Sequence, residues 1–191
     1  MNEFTKLNMA CLKDMQMFLD TIADTTFKID TALSVERNKI SKYLKEHLPT
    51  NFKLEEWENE IDILSLDDSD NRLLASDLDI TYSTTINKVT KRDVIENFTL
   101  YLGYTSNKRK NVVFIHIFDI SAPVIITDIF VSSIKESISQ EWICYCDDEY
   151  EENNICIEFP IDDTFSIEKI ERCMQTFREY ILQPIIAKLE Q

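Results

Sequence analysis

The chain has 191 residues, 44% of them hydrophobic, and carries 35 acidic against 20 basic residues for a net charge of −15. That length suffices for one sizeable core, and 11 Phe, 7 Tyr and 2 Trp exceed what a disordered chain carries. No apolar run approaches the ~20 residues of a membrane span, and the start Met1-Asn2-Glu3-Phe4-Thr5-Lys6 lacks the layout of a secretion signal, so the expected location is the cytoplasm, without a membrane.

In chain order, Leu7, Cys11, Leu12, Met15, Phe18, Leu19 and Ile22 recur at helical spacing and predict a helix over about 3–24. Ser34 is a good N-cap for a second helix ending at Leu48, before Pro49, with a stripe of Ile40, Tyr43, Leu44 and Leu48. Residues 52–60 are expected to form a short acidic helix. The period then changes. Residues 61–66, 77–83 and 98–104 alternate or run β-rich, and Val112 to Phe118 is so continuously apolar that it predicts a central strand. The polar connector Asn107 to Asn111 makes a hairpin of 98–104 and that strand. Residues 127–138 predict a helix, with a strand through Val124–Val131 as the alternative.

Trp142–Cys146 and Ile155–Phe159 predict a second hairpin, joined by the acidic loop Asp147–Asn154 and closed by Pro160. From about Ser166 a long helix follows, with the stripe Ile170, Cys173, Met174, Phe177, Ile181, Ile185 and Leu189 and a kink expected at Pro184. Helices, then mostly strands with short connectors, then a helix predict an α+β fold. The expectation is a mostly antiparallel sheet of about five strands flanked by N-terminal helices and a long C-terminal helix. It forms a single domain over 1–191: a helical part to about 60, a sheet over about 61–160 and the last helix over about 164–190.

The negative charge is concentrated. No basic residue lies between Lys53 and Arg72 or between Lys135 and Lys169, and these two windows hold 19 of the 35 acidic residues. The remainder is slightly positive, with 16 acids against 20 bases. Such windows form either a solvated face that aids solubility or a docking surface for a basic partner. The docking candidates are Glu55, Glu56, Trp57 and Glu58 from the first window and Asp147, Asp148, Glu149, Glu151 and Glu152 from the second. Direct nucleic-acid binding is disfavoured, since phosphate contacts need Lys and Arg. It has one possible place, Lys88, Lys91 and Arg92 together with Lys108, Arg109 and Lys110.

Gly103 is the chain's single glycine. Phosphate-cradling loops, dinucleotide fingerprints and nucleophile elbows all need glycines for tight turns or close backbone approach, so ATP-driven, Rossmann-type and α/β-hydrolase chemistries are disfavoured. Two carboxylates at i and i+2 on a strand share a face and can bridge a divalent metal, and Asp77 and Asp79 in Ser76-Asp77-Leu78-Asp79-Ile80 have that spacing. The pentapeptide resembles the acidic strand of nucleotidyltransferases, with Asp119 available as a third carboxylate, although the upstream stretch lacks the Gly-Ser turn of those families. No Glu-x-Lys or Asp-x-Lys tripeptide of a restriction-type nuclease occurs. His116, set among apolar residues, is expected in the core, and His47 at a helix end. Cys11, Cys144, Cys146, Cys156 and Cys173 match no zinc spacing and are expected to be reduced, small apolar residues.

The balance favours a non-enzymatic interaction protein: an inhibitor, immunity factor or regulatory subunit for a basic, nucleic-acid-acting protein, with no cofactor and with homo-oligomerisation open. The alternative is a metal-dependent enzyme using Asp77 and Asp79.

Overall fold

The computed structural model describes residues 3–63, 78–89, 94–106, 111–119, 132, 136, 142–145, 154–161 and 167–189. The fold is α+β, an antiparallel sheet with one helix before it and a helical segment after it. The first element is a single helix, α1 (Glu3–His47), where the sequence spacing predicted two. No glycine or proline separates residues 24 and 34. Thr26, Ile29, Ala32 and Leu33 are buried there on the seam that continues through Ile40 and Leu44, and this packing outweighs the low helix propensity of the local threonines. The helix stops where expected: Leu48 N–H still bonds the Leu44 carbonyl at 2.8 Å, and Pro49 follows. His47 occupies the last turn, stacked on Tyr43 at 4.2 Å.

Residues 52–63 form strands β1 (Phe52–Leu54) and β2 (Glu58–Ile63), not the expected acidic helix. Glu58, Glu60 and Asp62 alternate with Asn59, Ile61 and Ile63, a period of two that binds the segment to β3 (Leu78–Val89) in the register Glu58↔Ser83 to Ile63↔Leu78. The remaining strands are β4 (Val94–Ser106), β5 (Asn111–Asp119), β6 (Ile143–Tyr145) and β7 (Asn154–Pro160). Every pairing is antiparallel and the order is β1-β3-β4-β5-β7-β6, with β2 following β1 along the same edge of β3. Among the described residues the sheet therefore has seven strands, with β1 the addition to the expected set and β2 overlapping the expected 61–66 run. Both hairpins, β4–β5 and β6–β7, pair as the sequence predicted. The expectations for 124–138 fall outside the described residues, apart from residues 132 and 136.

Register divides the side chains cleanly between two faces. Leu78, Ile80, Tyr82 and Ile86 of β3, Phe98, Leu100, Leu102 and Tyr104 of β4, Val113, Ile115 and Ile117 of β5, and Ile155, Ile157 and Phe159 of β7 are buried in one cluster with the seam of α1. The C-terminal segment closes the same face with α2 (Ile167–Phe177), a π-helical stretch Arg178–Leu182 and α3 (Gln183–Leu189), burying Ile170, Cys173, Met174, Phe177, Ile181, Leu182, Ile185 and Ile186. Each fully buried Ile or Phe contributes about 1.5–3 kcal/mol. At Pro184 the chain continues instead of breaking. Gln183 N–H bonds back to the Arg178 carbonyl, and this wider turn relieves the crowding of the proline ring against the preceding turn.

Two polar ties hold α1 to the rest. Glu36 is fully buried and pairs with Lys39 of its own helix and with Arg178 of the π-helical stretch. The Tyr82 hydroxyl donates to Asp30 at 2.6 Å, with the Arg37 guanidinium 4.8 Å from its ring centre. Burial, reinforced by the bond to Asp30, pushes the Tyr82 phenol up to about 12. Among the described residues, no helix is long and apolar enough to cross a membrane.

Candidate functional site

Among the described residues no helix packs on the other face of the sheet, called here the open face, although Val112, Cys156 and Glu158 on it are buried, and its composition is unusual for such a face. Open faces of antiparallel sheets are ordinarily simply polar. Here three lateral rows cross β2, β3, β4, β5 and β7. The central row is Glu60, Thr81, Gly103, Phe114 and Glu158. One side of it runs Asp62, Asp79, Thr105, Val112 and Pro160, and the other side runs Glu58, Ser83, Tyr101, His116 and Cys156. Together they form a concavity of about 430 Å³, lined by Glu60, Asp62, Asp79, Thr81, Tyr101, Thr105, Phe114, His116 and Glu158.

Gly103 sits at the centre of this floor. A Cβ there would stand 2.3 Å from the Ile80 carbonyl oxygen and 2.5 Å from Cζ of Phe114. The Phe114 ring therefore lies down on the glycine backbone, a covering that compensates for the missing side chain. The one glycine of the chain serves a close approach after all, between strands and under an aromatic ring, and not around a phosphate. Along β5 the aromatic surface continues: His116 lies 4.9 Å from Phe114 and 6.3 Å from Phe118, and Tyr101 meets Phe118 edge-on at 5.5 Å. His116 is thus half-buried on the open face and not in the hydrophobic core where its apolar neighbours suggested. Val113, Ile115 and Ile117 turn to the helices while His116 turns away.

Carboxylates frame the aromatic floor on both sides. Glu60 is exposed on the β2 side, and Glu158 is 7% exposed on the β7 side. They stand in one row four strand spacings apart, about 19 Å. Asp62 and Asp79 are directly opposite each other across β2 and β3. Like charges in that position destabilise a sheet, so the fold gains nothing from keeping both.

The candidates from the sequence separate in space. Glu55 is committed to the fold: its side chain accepts from Asn87 at 2.6 Å, its carbonyl from Thr84 at 3.0 Å, and its N–H bonds Thr85. Glu56 and Glu58 are exposed. Trp57 is half-buried and packs against the core, and its indole N–H has no hydrogen-bond partner among the described residues. Asp147, Asp148, Glu149, Glu151 and Glu152 lie outside the described residues, in the connection from Tyr145 to Asn154. Asp77 is also outside them. Asp79 lines the concavity, whereas position 119 pairs with Phe98, in a row that belongs to the helix-covered face. Among the described residues, no three His, Cys, Asp or Glu side chains come together so as to hold a metal ion. Cys156 and Cys173 are buried and unoxidised.

Of the two basic clusters Lys88 is described, whereas Lys91, Arg92, Lys108, Arg109 and Lys110 lie outside the described residues. The ends of β4 that flank them in sequence, Val94 and Ser106, stand roughly 40 Å apart at ~3.3 Å per residue.

Glu60, Asp62 and Glu158 lie within the acidic windows, and the alternation of Phe114, His116 and Phe118 was present in the sequence. Nothing in the sequence announced that Tyr101, Gly103 and Thr81 would stand beside them, because that requires the register. In comparison with known proteins, the chain matches no family model, no curated protein and no solved structure.

Proposed function

We propose that this protein is a non-enzymatic recognition module, an acidic cytoplasmic inhibitor, immunity factor or regulatory subunit, that binds a basic protein partner across the open face of its sheet. One observation carries the reading. Both acidic windows contribute carboxylates to a single concave face, Glu58, Glu60 and Asp62 from the first and Glu158 from the second, around an aromatic floor of Tyr101, Phe114 and His116. Carboxylates accept charge-assisted hydrogen bonds from guanidinium and ammonium groups, and aromatic faces attract the same cations. The summed field of a chain at −15 steers a basic partner to the surface and repels acidic ones. Proteins that act on nucleic acid present basic surfaces, which makes them the fitting class of partner.

The test is affinity capture from the native cell with stepped salt elution, comparing the natural chain with a variant carrying Glu58→Lys, Glu60→Lys and Asp62→Lys. The reading expects a basic protein that elutes from the natural chain as salt rises and is missing from the variant. Capture of the same protein by both, with no dependence on salt, would refute it.

A further inference from the structure

From the exposed described side chains between Leu12 and Asp24 of α1 we infer that the protein self-associates, a second copy laying its own helix antiparallel along this arm. The helix is far longer than the sheet it packs on requires. Burial begins only at Thr26, and upstream of it every described side chain from Leu12 to Asp24 is exposed except the half-buried Ile22. The stretch Leu12–Asp24 alone is about 20 Å of helix ahead of the packed part. This arm is not polar all round, as a free-standing helix would be. Leu12 is 64% exposed, Leu19 55% and Phe27 69%, and they fall on one stripe at helical spacing.

Charge selects both the occupant and its direction. Up to Thr25 the sequence holds four acids and two bases, so the arm is nearly neutral while the rest of the chain carries −13. Lys6 and Lys13 lie with Glu3 in the first half of the arm, a net of +1, and Asp14, Asp20 and Asp24 in the second, a net of −3. Antiparallel pairing sets the lysines of one copy towards the aspartates of the other. Parallel pairing would align like with like and bring two strongly acidic bodies together. Antiparallel arms hold those bodies at opposite ends of the pair, several Debye lengths apart at physiological ionic strength (about 8 Å each). The net negative arm also makes an anionic lipid surface a poor occupant. About a dozen residues a side would be covered, fewer than the ~20–30 of a standard interface, so the dimer is reversible and dissociates on dilution.

Sedimentation equilibrium on the full chain across a hundredfold concentration range tests this. The mass should rise from 22.5 kDa at the dilute end towards twice that value. The double variant Leu12→Glu with Leu19→Glu, at positions whose exposure leaves the fold intact by circular dichroism, should stay at monomer mass throughout. Zero-length carbodiimide cross-linking of mixed light and heavy copies should join Lys6 or Lys13 of one copy to Asp20 or Asp24 of the other. A monomer at every concentration, or association that survives the double variant, would overturn the proposal. Cross-links between copies that join Lys6 to Glu3, neighbours at the start of the arm that only parallel pairing brings together, would overturn the antiparallel arrangement.

Discussion

The two faces of this sheet are made by the same strands, alternating residue by residue, yet they differ in what they are for. On the covered face Tyr82, Leu102, Ile115 and Ile157 stand in one row, each buried beneath α1 and the C-terminal helices. One residue along, the open face has Glu60, Thr81, Gly103, Phe114 and Glu158. The covered row is what burial favours. The open face contains choices that burial and sheet pairing disfavour: a glycine in the middle of a strand and an aspartate opposite an aspartate. Places where a sequence departs from what its fold prefers are where function is expected.

The contrast can be broken most forcefully on the covered side. Arg178→Met leaves Glu36 fully buried with only the half-exposed Lys39 as a partner, and chemical denaturation should show a loss of about 3–5 kcal/mol. Next comes the point where the two faces meet through the backbone. Gly103→Ala drives a methyl into the Ile80 carbonyl and the Phe114 ring, with an expected loss of about 1–3 kcal/mol and a change in the Phe114 ring resonances.

Smaller still is Tyr82→Phe, which removes the bond to Asp30 at an expected cost of about 1 kcal/mol at neutral pH. The phenol's folded pKa of about 12 lies above its ordinary 10, so the stability it supplies is complete below pH 10 and is lost as pH rises through 12. The variant should lose less of its remaining stability over that range, as alkaline unfolding curves would show. The smallest effect has the opposite sign. Asp62→Asn relieves the repulsion with Asp79 and should stabilise slightly, at the low end of about 0.2–1 kcal/mol because Asp62 is exposed. Destabilisation there would mean that the open face serves the fold as the covered face does.

Much of this contrast was legible before the fold was known, and the gaps have identifiable causes. Leu78-Asp79-Ile80-Thr81-Tyr82 alternates openly, and the strand it forms was expected. Val112 to Phe118 looked uniformly apolar because its open face is itself aromatic, which concealed the period and put His116 on the wrong side. The acidic stretch 52–60 suggests a helix with strand character only from 61, whereas pairing to β3 carries the strand back to Glu58. The continuous α1 escaped notice because the threonines near residue 25 weaken helix propensity, and only the seam beneath them overrides it. The site itself needed the register: Glu60 and Glu158 are 98 positions apart and meet in one row only through three intervening strands.

The central claim, that the open face is the recognition surface, is tested most directly by titrating the labelled protein with an arginine-rich decapeptide while following its amide and aromatic resonances. The account predicts shifts at Thr81, Tyr101, Gly103, Phe114 and His116 that weaken with salt and vanish in the variant Glu60→Gln, Asp62→Asn, Asp79→Asn. Shifts confined to other parts of the molecule, or unchanged in that variant, would contradict it.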